Sequence, residues 1–181
     1  MNIAVIYRSK YGHTKKYAKW AAESLNASLF EYSSVKPSDF AGFDVIIFGG
    51  GLYAGGLNGL SLIKRNFASL QDKHLIVFAC GVADPTVPAN TEHIWANLQQ
   101  ALSPVMMEKI KFFHLRGGLD YQKLGPVHKS MMAMLRRMLK KKPPEKLTEE
   151  DRQLLDTYGK AVDFTEKSTL DPMIAYVRAL N

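Results

Sequence analysis

IYRSKYGHTKK, residues 6–16, closes an apolar run that begins at Ile3 and passes at once into hydroxyls, one glycine and cations, with no carboxylate. A β-rich run at 3–7, a small-residue turn, and then Ala18, Ala21, Ala22 and Leu25 on one helical face read as strand, turn and helix. A helix start presents N–H groups and a favourable dipole to an anion, and ligands of open parallel sheets bind outside the carboxyl ends of the strands. The turn 9–14 sits at that place. It offers the hydroxyls of Ser9, Tyr11 and Thr14, a glycine that permits an unusual backbone, and amides able to wrap a phosphate. With no G-x-x-x-x-G-K-[ST] pattern and no carboxylate for magnesium, the segment binds a phosphate rather than cleaving one. The plain alternative is a solvated turn in which Thr14 caps the helix while Lys10, Lys15 and Lys16 face water.

The same alternation continues outward from this turn. Further β-rich runs stand at 28–32, 44–48, 74–79 and 110–114, and helical faces appear at Ile63, Phe67 and Leu70 and at Ile94, Leu98 and Leu102. The linker SSVKPSDFAGF between the second and third runs holds at most a turn or two of helix. DVIIF and HLIVFA are continuously apolar, the mark of strands buried on both faces in a parallel sheet under helices. A length of 181 residues without repeat, low-complexity tract or dividing linker predicts a single domain over 1–181. The lone cysteine, Cys80, excludes an internal disulfide framework and reads as a strand-end core residue; no Cys/His cluster has zinc spacing, so no metal is expected. No apolar stretch has the length of a spanning helix or the form of a signal-peptide core, which predicts a cytoplasmic protein.

The formal charge of +7 is concentrated. Lys129, Arg136, Arg137, Lys140, Lys141 and Lys142 fall within 128–142 without one acid, and the rest of the chain is nearly neutral, so no nucleic-acid partner is expected. Residues 127–142 form a basic amphipathic helix with Val127, Met131, Met134, Leu135 and Met138 on one face, stopped by Pro143 and Pro144. That face either packs inward with its cations solvated, or it docks on an anionic membrane, where each cation contributes about 1 kcal/mol. Thr148 and Asp151 form a capping-box signature that opens a helix over 148–164 with Leu155, Tyr158 and Val162 inward, expected to close the fold. The tail 170–180 adds a short last helix.

Ser9, Gly12 and Thr14, in the spacing S-x-x-G-x-T after the first strand, resemble the FMN-phosphate loop of the flavodoxin-like fold. The resemblance implies an α/β three-layer sandwich: a five-stranded parallel sheet in the order 2-1-3-4-5, helices on both faces, and here a basic helical insertion over 119–146 after strand 5. It implies FMN as cofactor. Tyr11 stands where typical flavodoxins have threonine, and Lys10 and His13 contribute backbone amides more than side chains. GGGLYAGGLNG, 49–59, lies where the family places the loop beside the flavin ring, which brings in Gly51, Leu52, Tyr53, Ala54 and Gly55, with Tyr53 positioned to stack. Gly49, Gly51 and Ala54 also satisfy G-x-G-x-x-A, a dinucleotide fingerprint set aside because it follows the third strand and carries too many further glycines. CGVADPTVPAN, 80–90, closes the other side of the flavin through Gly81, Val82, Ala83 and Asp84; without an aromatic it leaves the ring more open to a substrate or partner. A receiver-domain reading fails, since YRSK and FGGG stand where that family needs acids.

The insertion, RGGLDYQKLGPVHKSMMAMLRRMLKKK, is similar to that of the flavodoxin-domain branch which includes quinone-dependent protoporphyrinogen oxidase. This implies an FMN-dependent, quinone-linked oxidoreductase with a quinone or redox-protein partner, an acidic substrate such as a porphyrinogen, and peripheral contact with the inner face of the membrane through 127–142. Asp120 and Tyr121 would orient substrate, or else stand in a solvated loop; no catalytic residue is assigned. The alternatives are an electron-transfer flavodoxin without its own small-molecule substrate, using the cationic helix to dock, and an interaction module without FMN.

Overall fold

The computed structural model of the chain describes residues 1–53 and 56–180, apart from the side chain of Glu150. In chain order the elements are β1 (Ile3–Arg8), α1 (His13–Leu25), β2 (Ser28–Glu31), β3 (Val45–Tyr53), β4 (Gly56–Leu57), α2 (Ser61–Asn66), β5 (His74–Gly81), α3 (Pro88–Ala101), α4 (Pro104–Lys109), β6 (Ile110–Arg116), β7 (Gly118–Asp120), α5 (Pro126–Lys140), α6 (Glu149–Thr157), β8 (Ala161–Asp163) and α7 (Asp171–Arg178). They divide into two compact units, residues 1–117 with the segment from Thr165 onward, and residues 118–164.

In the first unit the five long runs pair in parallel as β2-β1-β3-β5-β6, the expected order, with β4 added antiparallel to β3. Alternate residues of each strand enter two cores, as period-2 side-chain geometry requires. Ile6, Phe48 and Val77 pack with Ile63, Leu70, Leu98 and Leu102 on the α2 and α3 side. Val5, Ile47 and Ile76 pack with Tyr17, Ala18 and Ala21 of α1 on the other. Each of the valine, leucine, isoleucine and phenylalanine side chains among them, once buried, stabilises the fold by about 1.5–3 kcal/mol. Between β2 and β3 only two 3-10 turns form, Tyr32–Ser34 and Pro37–Gly42. The short helix α4, whose Ser103 side chain caps the Met106 N–H, was not foreshadowed by an apolar period.

In this unit two expectations are corrected. The segment from Gly49 to Tyr53 is strand, not loop: Gly49, Gly50 and Gly51 pair in register with Phe78, Ala79 and Cys80. The glycines are there for packing, because a β-carbon on Gly49 would clash with the tip of the Phe78 ring and one on Gly50 would lie 2.6 Å from the Asn58 carbonyl. The helix that closes this unit is α7 rather than one over 148–164. Leu170, Met173, Ile174 and Val177 are buried beside α1, and Pro172 occupies the first turn, where it needs no N–H partner.

In the second unit β7 and β8 pair antiparallel, Leu119 opposite Val162. The capping box of α6 is present, with Thr148 Oγ1 accepting from the Asp151 N–H at 3.1 Å and Asp151 accepting from the Thr148 N–H at 3.2 Å. The helix stops at Thr157, because Tyr158 leaves the helical region and Gly159 turns the chain at φ 84°; Val162 therefore sits on a strand. On α5 the buried residue is Leu139, while Val127, Met131, Met134 and Met138 are 70%, 39%, 61% and 58% exposed. Of that apolar face Leu135 turns inward, half-buried, while the other four residues look to solvent: the helix packs through Met132, Leu135, Arg136 and Leu139.

Candidate cofactor site

β1 ends at Arg8 and the chain enters α1 through a turn centred on Gly12, the helix N-cap, at φ 99° and ψ −26°. L side chains rarely adopt that region, so glycine is the residue that enters it without strain. Ser9 Oγ accepts the Gly12 N–H at 3.1 Å and winds the turn. The first helical bond runs from the Lys16 N–H to the Gly12 carbonyl at 2.9 Å, so by helix geometry the N–H groups of 13–15 point out of the helix start. Thr14 is 3% exposed, and the helix has no side-chain cap, which removes the plain reading of Thr14 as the capping residue. The first turn carries no acid.

The neighbouring strand ends touch one another in sequence around this turn. Tyr53, at the end of β3, folds back over Gly51, stands edge-on to Tyr11 with ring centroids 5.8 Å apart, and accepts a hydrogen bond on its hydroxyl from the backbone N–H of Lys10. Burial pushes the Tyr53 hydroxyl up to about 12, against the opposing pull of that bond. Leu52 lies on Gly81 of β5, where a β-carbon would come 2.8 Å from Leu52 Cδ1. The Gly117 N–H donates to the Gly81 carbonyl at 2.5 Å, and a β-carbon on Gly117 would meet Cys80 Sγ at 2.8 Å and His13 Cβ at 3.5 Å. The ends of β1, β3, β5 and β6 thus form a closed ring of contacts. Of the residues expected at the site, Ala54 and Gly55 lie outside the described residues; the others stand on this ring or in the segment that follows β5.

That segment is organised by a residue the sequence did not single out. Arg116 pairs its Nη1 with Asp84 Oδ2 at 2.9 Å and donates from Nε to the Val82 carbonyl at 3.2 Å. Asp84 also accepts from the Thr86 N–H at 2.9 Å and the Thr86 hydroxyl at 2.7 Å. The Thr86 hydroxyl first, then its amide and Arg116, hold the Asp84 carboxyl below the usual carboxylate range. Asp84 therefore shapes its loop, while Val82 is exposed and Ala83 half-buried. The Arg116 carbonyl accepts the Tyr17 hydroxyl at 2.7 Å, and that hydroxyl accepts the Glu166 N–H at 3.1 Å, tying α1 to β6 and to the start of the last segment. His114, on the same face of β6 as Arg116, has both ring nitrogens buried without a partner, and burial holds it below the ordinary imidazole range against the pull of Asp84. The signal for both was the alternation of polar residues at the end of a strand.

An open parallel sheet whose order reverses beside β1, with a glycine-turned anion loop at that point and three further strand ends joined around it, defines a doubly wound α/β protein that binds a nucleotide at its switch point. The chain belongs to the flavodoxin domain family, whose pattern it matches over residues 4–146. It is an FMN-binding, flavodoxin-like redox protein. The donor set fits FMN: the space around a Gly12 β-carbon is open, the amides of a helix start face the turn, and no carboxylate of that turn opposes a phosphate.

Among solved structures the chain is similar to oxidised flavodoxin 2 from Bacillus cereus, 15% identical with a TM-score of 0.47, covering 86% of this chain and 94% of that one. It is similar to two-electron reduced Megasphaera elsdenii flavodoxin, 13% identical with a TM-score of 0.43, covering 62% and 82%. A flavodoxin from the domain Archaea is 14% identical with a TM-score of 0.43, covering 63% and 85%. No curated protein matches the chain. Among the described residues no helix is long and apolar enough to cross a membrane.

Proposed function

We propose that FMN seats its phosphate in the turn of Ser9, Lys10, Tyr11, Gly12, His13 and Thr14 and its ring between Gly51, Leu52, Tyr53, Ala54 and Gly55 on one side and Gly81, Val82, Ala83 and Asp84 on the other, and that the chain is a quinone-linked oxidoreductase similar to the protoporphyrinogen-oxidase branch. The observation that carries the placement is the ring of strand-end contacts closed around the left-handed Gly12 at the head of α1. Bound FMN supplies the redox chemistry that the side chains lack. The protein's part is to bind and orient. The Gly12 turn and the first-turn amides hold the phosphate, Lys10, Lys15 and Lys16 add positive potential, and Arg116 fixes the 82–84 segment. With no aromatic in 80–90 and Val82 exposed, that side is open to a small substrate.

The test is an absorption spectrum of the purified protein with and without added FMN, followed by porphyrinogen oxidation with a quinone acceptor. A saturable flavin spectrum with turnover supports the reading. A saturable spectrum with electron delivery to a protein partner and no turnover makes the chain a carrier, and a protein that stays colourless with FMN added overturns the cofactor placement.

The partner surface we assign to α5. Its exposed stripe of Val127, Met131, Met134 and Met138, beside cations and without an acid along 128–142, has the chemistry of a helix that lies on an anionic bilayer, peripheral to the membrane. A quinone dissolved in that bilayer is the acceptor this placement suits.

A further inference from the structure

The 118–164 unit holds a polar cluster around Tyr121 that the FMN placement does not use. Arg136 lies on the inner side of α5, one turn from Met132 and next to Leu139, and its guanidinium carbon stands 4.5 Å from the centre of the Tyr158 ring. Tyr158 in turn packs against Tyr121, centroids 4.8 Å apart and tilted by 55°. Tyr121 is only 8% exposed. Neither the Tyr121 hydroxyl nor Arg136 Nε, both buried, has a hydrogen-bond partner, and among the described residues no carboxylate pairs with Arg136. Two acids of this unit are committed elsewhere, Asp120 to Lys123 at 3.1 Å and Asp151 to Lys142 at 3.0 Å.

This arrangement is unfavourable unless something completes it. A guanidinium whose Nε is shut off from water gains most from an anion, since stacking on an aromatic face recovers only part of the lost hydration, and a buried phenol without an acceptor forfeits its bond to water. Both orphan atoms are donors, both belong to side chains that pack on one ring, and the Tyr121 hydroxyl lies near enough to Arg136 for its charge to act on it. One negatively charged oxygen would answer them together, with the charge-assisted bonding for which a guanidinium is suited. Burial raises the Tyr121 hydroxyl above its ordinary range, so it stays protonated and able to donate near neutral pH. Tyr158 is half-exposed and precedes the Gly159 turn, which places the outer wall of the cluster on the surface of the unit.

We infer that Arg136, Tyr121 and Tyr158 form an oxyanion-binding site within the 118–164 unit, which takes a carboxylate or phosphate group of a small molecule. The guanidinium and the phenol donate to the anion, and Tyr158 holds the guanidinium flat. The site is independent of the FMN placement, because every residue in it lies in the second unit.

The test is a titration of the full-length, isotope-labelled protein with inorganic phosphate and, separately, with glutarate, at constant ionic strength, following the Arg136 Nε–H resonance assigned by its loss in Arg136→Gln. A saturable shift with either probe is expected, and whichever binds more tightly identifies phosphate or carboxylate as the better ligand. Tyr121→Phe should weaken that binding roughly tenfold, the loss of one hydrogen bond to a charged group, without lowering the melting temperature, because it removes a buried hydroxyl that has no partner. Phosphate held by the 9–14 turn would move the Gly12 amide instead, so a failure here is distinct from a failure of the FMN reading. The inference is overturned if the Arg136 resonance is unmoved by both probes, if sodium chloride moves it as much, or if Tyr121→Phe binds as the native protein does. Arg136→Lys, which keeps the charge and loses the fork, serves where Arg136→Gln does not fold, with a weakened saturable response expected and an unchanged one counting against the site.

Discussion

Arg116 holds Asp84 at 2.9 Å through Nη1 while its Nε reaches the Val82 carbonyl at 3.2 Å, so one side chain from β6 fixes both ends of the segment that follows β5. The pair is partly exposed, with side chains 19% and 30% accessible, which limits its share of stability to about 1–2 kcal/mol. Arg116→Ala should lower the free energy of unfolding in a urea titration by that amount and weaken FMN binding more than it weakens the fold, because the 82–84 segment loses its anchor. Equal FMN affinity in a folded Arg116→Ala protein would separate this segment from the cofactor.

Asp84 also sets a pH dependence. Its folded pKa is depressed, chiefly by Thr86 and then by Arg116, so the unfolded chain binds the proton more readily. The stabilisation is whole above the unfolded value, near 3.9 for an aspartate, and is lost as pH falls through the folded value. Asp84→Asn should therefore be less stable than the native chain at neutral pH, with the gap closing in acid. A gap that is constant from pH 7 down to pH 3 is the contrary result.

The order of the sheet and the 9–14 turn were legible because both rest on local patterns. Five apolar runs alternate with helical faces, and Gly12 sits one residue before the start of α1. What escaped depended on distant partners. Gly49 to Gly51 read as loop because glycine is rare in strands, yet the bulk of Phe78 and Leu57 across the sheet requires it. Thr148 gives a true cap, but its helix ends at Thr157, and the helix that packs on α1 is built from Met173, Ile174 and Val177, too short an apolar period to mark the closing helix on its own. On α5 the residues of the apolar face were identified, but which side of a helix faces inward follows from what it packs against, and Arg136 took an inward position that composition assigns to methionine.

The glycines of β3 give a sharp contrast. Gly49→Ala drives a methyl into the Phe78 ring, an overpacking that costs typically about 1–3 kcal/mol. Gly42→Ala adds one where nothing lies within 4 Å, and should change stability by no more than about 0.5 kcal/mol. Denaturant unfolding of the two variants measures the difference; equal midpoints would show that Phe78 moves aside freely.

Tyr53 predicts an alkaline effect of the opposite sign to Asp84. Burial raises its hydroxyl from 10.0 to about 12, so its contribution is whole below pH 10 and is lost as pH rises through about 12, because the unfolded chain releases the proton first. At about 1.4 kcal/mol for each unit of difference, the native protein should lose on the order of 2 kcal/mol more than Tyr53→Phe between pH 9 and pH 12. Parallel stability curves for the two proteins would mean that the Tyr53 hydroxyl is not buried in the folded protein.

The exposed face of α5 yields a prediction with a built-in control. By helical spacing Arg137 and Lys141 flank the stripe of Val127, Met131, Met134 and Met138, whereas Lys129 and Lys140 lie on the opposite side. If the stripe lies on an anionic bilayer, Met134→Glu with Met138→Glu should abolish sedimentation with phosphatidylserine vesicles. Stability should hold, since neither side chain is buried. Arg137→Gln with Lys141→Gln should weaken binding by about thirtyfold at low salt, at about 1 kcal/mol for each cation near the surface. Lys129→Gln with Lys140→Gln, the same change in net charge, should weaken it several-fold less. Equal losses from the two double variants would reduce the effect to net charge alone, and undiminished binding to uncharged vesicles would remove the electrostatic part altogether.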